Sequence, residues 1–138
     1  MIGYNNLEDY WPERLGKEEE EKLFQFLHER FGIPLEVLME FLWFKRGGHI
    51  YVLKGIRAME IREDFFRPHR WFLGALGRFI TKARIWLNLD QLKGLKDSPL
   101  EFSLDMSAGP VVLAVKDIGD VGMGFYKNGQ LRAQGLWI

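Results

Sequence analysis

The sequence predicts an α+β protein: an N-terminal helical hairpin leading into a β-rich region that carries one inserted helix. Three observations carry this expectation. Apolar residues recur near a 3.6-residue period from Lys17 to Phe44, β-branched and aromatic runs take over at His49, and a helical period returns briefly between Pro68 and Ile80.

The first fourteen residues are polar and aromatic, with Trp11-Pro12 as a turn or extended cap. The first helix begins at Lys17, where Glu18 to Glu21 suit the positive N-terminal end of the helix dipole. Leu23, Phe24, Leu27 and Phe31 form its apolar stripe, and the four glutamates read as its solvated face. Gly32 stops it and Pro34 opens a second helix to about Phe44, burying Val37, Leu38, Phe41 and Leu42. Beyond Gly47-Gly48, His49 to Leu53 and Arg57 to Arg62 read as strands. A helix is expected from Pro68, at its first position, to Ile80, with Trp71, Phe72, Ala75, Leu76 and Phe79 inward. Gly74 and Gly77 within it lower helix propensity and allow close packing.

Arg84 to Asn88 reads as a strand, Leu89 to Leu95 as a helical turn, and Leu100 to Leu104 as a short strand. Val111 to Lys116, Val121 to Lys127 and Gln130 to Gln134 form a meander. Asn128-Gly129 is its clearest signal, because a two-residue type I′ turn needs positive φ at both positions.

A chain of 138 residues with 47% hydrophobic side chains can build a packed core, which argues against disorder. There is no cysteine, so disulfides, thiolate zinc sites and cysteine nucleophiles are excluded. His28, His49 and His69 have no metal-ligand spacing. The opening residues lack the pattern of a signal peptide and no apolar run is long enough to span a bilayer, so a cytoplasmic protein without a membrane partner is expected. The net charge of zero conceals an asymmetry. Residues 1–44 carry four basic and ten acidic side chains, whereas residues 45–138 carry fifteen basic and nine acidic. A basic body suggests a polyanionic partner, and an acidic head is equally well read as solvated helix surface.

No P-loop, nucleophile elbow or zinc-protease motif is present. Gly119 to Gly124 (GDVGMG) lies between strands, so a turn with a bulge is expected there and not a phosphate loop. Glu60, Glu63 and Asp64 read as a charged strand edge. Neither catalysis, cofactor nor metal is expected. The basic residues are more informative: Arg57, Arg62, Arg67, His69, Arg70, Arg78, Lys82 and Arg84 are interleaved with Phe65, Phe66, Trp71, Phe72, Phe79 and Trp86. RNA recognition uses guanidinium groups on phosphates and ring planes on unpaired bases. Trp71, Phe72 and Phe79, at helical spacing, read as core. Arg67, Arg70, Lys82 and Arg84 sit at element ends, where phosphate contact and solvated rim remain open. His69, near a helix N-terminus, suits a neutral hydrogen-bonding role.

Four stretches, in order, resemble a known family. They are Arg30-Phe31-Gly32-Ile33-Pro34, Lys54-Gly55-Ile56-Arg57, Phe66-Arg67-Pro68-His69, and Gly119 to Lys127 with Asn128-Gly129-Gln130-Leu131. Together they resemble the PUA-like RNA-binding domain appended to Sun-family RNA cytosine methyltransferases and its archaeal stand-alone relatives. The resemblance spans about residues 29–134. It departs at Ala58 and Met59, where a second glycine is usual, and at the apolar ending Ala133 to Ile138, where cations are usual.

The resemblance implies a helical pre-barrel region over 1–46 and a PUA-like mixed β-barrel over 47–138, packed as one compact unit. Structured RNA (rRNA or tRNA) would dock beside the inserted helix, and a separate RNA-modifying enzyme would supply any chemistry. Carried over, Arg67, His69, Arg70, Lys127 and Arg132 would face RNA, and Lys82 and Arg84 join them from the basic cluster. The expected function is a non-catalytic RNA-binding protein of rRNA or tRNA modification or ribosome biogenesis. The alternative is a protein-interaction module of the same fold that has lost RNA binding, using its acidic head and apolar tail. A small hydrolase or transferase ranks last, for want of a nucleophile–base pair.

Overall fold

A computed structural model describes residues 12–53 and 55–137; Trp11, Lys54 and Ile138, which figure in the sequence motifs, lie outside the described residues. The protein is α+β, with two mostly antiparallel sheets and, among the described residues, four α-helices. It divides into two compact units, Met1–Ile80 and Thr81–Ile138. A division after residue 46 would instead separate a pair of strands that hydrogen-bond to each other.

In the first unit, helix α1 (Lys17–Phe31) starts where the Gly16 N–H donates to Glu19 Oε1 at 3.1 Å. It ends at Gly32, whose φ of 73° lets its N–H reach the His28 carbonyl at 2.9 Å. Leu23, Leu27 and Phe31 are fully buried, as is Ile33 just beyond. The Phe31-Gly32-Ile33 motif is therefore a helix stop between two core residues.

Helix α2 covers only Leu35–Leu38, which corrects the expected helix to Phe44. Trp43 and Phe44 are both buried, on opposite faces of a strand, which a helical stripe cannot do. The Leu38 carbonyl accepts from the Trp43 indole N–H at 2.9 Å, and Leu42 is left half exposed.

Strands β1 (Glu13–Arg14), β2 (Trp43–Arg46), β3 (His49–Val52), β4 (Ile56–Ile61) and β5 (Phe66–Pro68) form an antiparallel sheet in that order. Gly47 and Gly48, with φ of 52° and 81°, make the tight β2–β3 turn and fix its register, Arg46 opposite His49 and Phe44 opposite Tyr51. A bulge at Ala58 then shifts β4, so Arg57 pairs with Tyr51 and Glu60 with His49. Trp43, Ile50, Val52, Met59 and Pro68 share the apolar face, where Phe24 and Phe26 of α1 meet Trp43 and Phe66 edge to face.

Pro68 closes β5 and does not open a helix. His69 is the N-cap of α3 (Arg70–Leu76), followed by a 3-10 turn over Gly77–Phe79. Phe72 is core, whereas Trp71 and Phe79 are only half buried.

The second unit has sheet order β6-β8-β9-β10-β7, from β6 (Arg84–Leu87), β7 (Leu100–Glu101), β8 (Gly109–Val115), β9 (Gly119–Lys127) and β10 (Gln130–Leu136). β6 runs parallel to β8 and the other pairs are antiparallel. Helix α4 (Leu89–Asp97) is longer than one turn, and Asn88 and Gln91 close a full capping box at its start, with bonds of 2.7 and 2.9 Å. The β9–β10 turn has Asn128 at φ 53° and Gly129 at φ 74°, as its sequence requires.

The glycine run of β9 is a strand with a bulge opposite Leu113 and Ala114. A Cβ on Gly122 would lie 2.1 Å from the Gly135 carbonyl oxygen, and one on Gly124 2.7 Å from that of Arg132. The apolar tail continues β10 beside β9, and the Trp137 N–H donates to the Val121 carbonyl at 2.8 Å.

Gly122→Ala is expected to destabilise the protein by about 1–3 kcal/mol, since the β10 backbone at Gly135 and Leu136 must move. Gly74→Ala in α3, where a Cβ meets nothing within 4 Å, should instead be neutral or stabilise by up to about 1 kcal/mol. Urea denaturation midpoints of the two variants check both signs.

Candidate functional site

Strand alternation gives the first sheet a second face unlike its apolar one. Register places Arg14, Phe44, Arg46, His49, Tyr51, Arg57, Glu60 and Arg67 on it. Arg14, Arg46 and Arg57 are exposed, and His49, Tyr51, Glu60 and Arg67 are partly exposed. These strands thus present four arginines and one carboxylate.

The cations lie beside rings. The Arg57 guanidinium is 5.9 Å from the Tyr51 ring centroid and that of Arg14 is 5.8 Å from Phe44, both within cation–π range. His49 meets Tyr51 edge to face at 6.5 Å and stacks on His69 at 5.6 Å with 23° between planes. Glu60 is shared: Arg67 Nη2 donates to Oε2 at 2.6 Å, and Arg62 Nε lies 2.9 Å from Oε1.

His69 Nε2 is buried without a hydrogen-bond partner. Burial, then the nearby His49, Arg67 and Arg57, hold the His69 pKa below its usual 6.5, while Glu60 opposes them. The ring is accordingly neutral at neutral pH, with desolvation as the first cause.

The remaining basic positions are on or beside other elements. Arg70 is exposed at the start of α3. In the second unit, Lys82 is exposed before β6, while Arg84 forms a two-point pair with Asp120, Nε–Oδ1 2.9 Å and Nη2–Oδ2 3.1 Å. That pair spans from β6 across β8 to β9, a structural task for Arg84. Lys127 and Arg132 are exposed and share one face of the β9–β10 hairpin, since Lys127 opposes Gln130 and Arg132 opposes Phe125. The fold thus gathers Arg67 and His69 in one cluster and Lys127 with Arg132 in another.

Sequence alone does not single out His49, Tyr51, Arg46 and Arg14 as binding groups. The first three have a usable signal: a Gly47-Gly48 hairpin puts Arg46, His49 and Tyr51 on one face by period two. The Ala58 bulge, which brings Arg57 beside Tyr51, has no local signal.

An open cleft of about 510 Å³ in the second unit is lined by Glu101, Phe102, Ser103, Tyr126, Asn128, Gly129 and Gln130. Its floor is structural, for Tyr126 Oη donates to the Phe102 carbonyl at 2.9 Å and accepts from the Leu104 N–H at 3.0 Å. Among the described residues, no group of three or more His, Asp or Glu side chains is placed to hold a metal ion, and no helix is long and apolar enough to cross a membrane. Compared with known proteins, the sequence matches no family model and no curated protein.

Because the folded His69 pKa is lowered, the unfolded chain takes up its proton first on acidification. The His69 contribution to stability is therefore fully present above the usual value near 6.5 and is lost as pH falls below it toward the lowered value. Denaturant unfolding at about pH 7.5 and 5.5 should show this loss in the native protein and a smaller one in His69→Asn.

Proposed function

We propose that the chain is a non-catalytic RNA-binding protein whose contact surface is the arginine- and ring-bearing face of the first unit's sheet. One observation carries this reading. On that face Arg14, Arg46, Arg57 and Arg67 stand among His49, Tyr51 and His69 with Glu60 as the one strand carboxylate. Guanidinium forks bind phosphate oxygens bidentately, and rings accept base planes, so one surface offers both kinds of contact.

Action on rRNA or tRNA, alongside a modifying enzyme, and a PUA-like barrel belong to the same proposal. Their support is the order of the four sequence motifs. Lys127 and Arg132 are a second, weaker phosphate-binding candidate. Arg84, paired with Asp120, contributes to the sheet instead.

A second reading as a protein-interaction module draws on Leu35, Met39 and Leu42, which are 43%, 71% and 50% exposed around the short α2 and flanked by Glu36 and Glu40. The two readings separate in one experiment. RNA affinity measured against salt should fall steeply, with a log–log slope of about −0.7 per phosphate contact on single strands. Arg46→Glu with Arg57→Glu should flatten that slope and abolish retention at moderate salt, while Lys127→Glu with Arg132→Glu has a smaller effect. Absence of RNA binding at low salt, with a stable dimer or complex by mass measurement, would replace the first reading with the second.

A further inference from the structure

We infer that this face takes RNA whose bases are unpaired, with Tyr51 as the stacking platform and Arg57 and Arg46 as the phosphate contacts on either side; the inference rests on the RNA-binding reading above. In A-form RNA the bases are stacked on one another, and a protein meets phosphates and 2′-hydroxyls along a shallow groove. Such a ligand is matched by spaced cations and leaves exposed rings without a task. A single strand or loop presents base planes as well as phosphates, and is matched by rings set among cations.

The geometry is of the second kind. Tyr51 occupies the middle strand of its sheet, opposite Phe44 on β2 and Arg57 on β4. Tyr51 is partly exposed and is not sealed into the core. His49 is two residues away on the same face and opposes Arg46, so the next rung of the ladder repeats a ring beside a cation. His49 is stacked face to face on His69 at 5.6 Å, whereas Tyr51 meets His49 edge to face and Arg57 at 5.9 Å, so Tyr51 is the better placed of the two rings to accept a base. The Arg57 guanidinium, 5.9 Å from the Tyr51 centroid, adds an electrostatic component for a stacked base and offers a two-point donor for a phosphate.

The experiment uses the full chain and one RNA sequence, supplied as a single-stranded oligonucleotide and as a blunt duplex with its complement, at a common moderate salt. Fluorescence anisotropy should show the single strand bound about tenfold or more tightly than the duplex, in keeping with one or two stacked bases. Tyr51→Leu, which keeps apolar bulk on the strand without a π face, should lose roughly 5- to 150-fold on the single strand and nothing on the duplex. Tyr51→Phe should restore single-strand affinity, and unchanged melting temperatures establish that both variants are folded. Duplex bound as tightly as single strand, or a single-strand affinity indifferent to Tyr51→Leu, overturns the inference while RNA binding itself stands. Loss of both ligands in the native protein overturns the RNA-binding reading together with it.

Discussion

Trp43 is the residue on which the first unit is assembled. It is fully buried, its indole N–H is satisfied by the Leu38 carbonyl, and Phe24 and Phe41 pack edge to face against its ring. Helix α1, the turn after α2 and strand β2 therefore converge on one side chain. A buried indole that lost its acceptor would retain an unsatisfied donor, which costs about 1–3 kcal/mol on top of the apolar area it buries. That constraint ends α2 early and commits residues 43–46 to the sheet. Once β2 is placed, the Gly47-Gly48 turn dictates where Arg46, His49 and Tyr51 point. The polar face is a consequence of how the apolar one is anchored.

Much of the fold is legible in the sequence because its signals are local. The Gly32 stop, the Asn128-Gly129 turn and the strand runs of the last third are each set by a few adjacent residues. The errors fall where a distant partner decides. Trp43 and Phe44 continue a helical stripe by spacing, yet strand pairing buries them on opposite sides. Pro68 has the right chemistry for a first helical position, but pairing with Met59 keeps it extended and passes the N-cap to His69. The candidate site is half legible for the same reason. Its hairpin rungs follow from the Gly47-Gly48 turn, whereas the Ala58 bulge and the His49–His69 stack depend on registers between strands.

The charge distribution takes on a more specific meaning in three dimensions. The acidic residues of α1 form a solvated helix face, with Glu19 bonded to Lys45 and held below the usual carboxylate range by that contact. On the other side of the same sheet, arginines stand among rings. Within this unit the two sides of the sheet thus differ in charge, with the glutamates of α1 on one and the arginines on the other. An anion meeting this unit encounters opposite potentials on its two sides, which favours one approach over the other before any contact forms.

The parallel pairing of β6 with β8 bears on how the second unit folds. β8, β9 and β10 follow one another through short turns and can zip together locally, whereas β6 reaches β8 only after α4 and β7 have intervened. Closing that longer excursion costs chain entropy before any ladder bond compensates it. The meander is therefore expected to form first, with β6 joining a template already in place. Arg84 clamped to Asp120 on β9 then acts as a latch that retains the late-arriving strand. Opening of that latch would release one edge of the sheet while leaving its centre intact, which is a route to partial unfolding that hydrogen exchange resolves strand by strand.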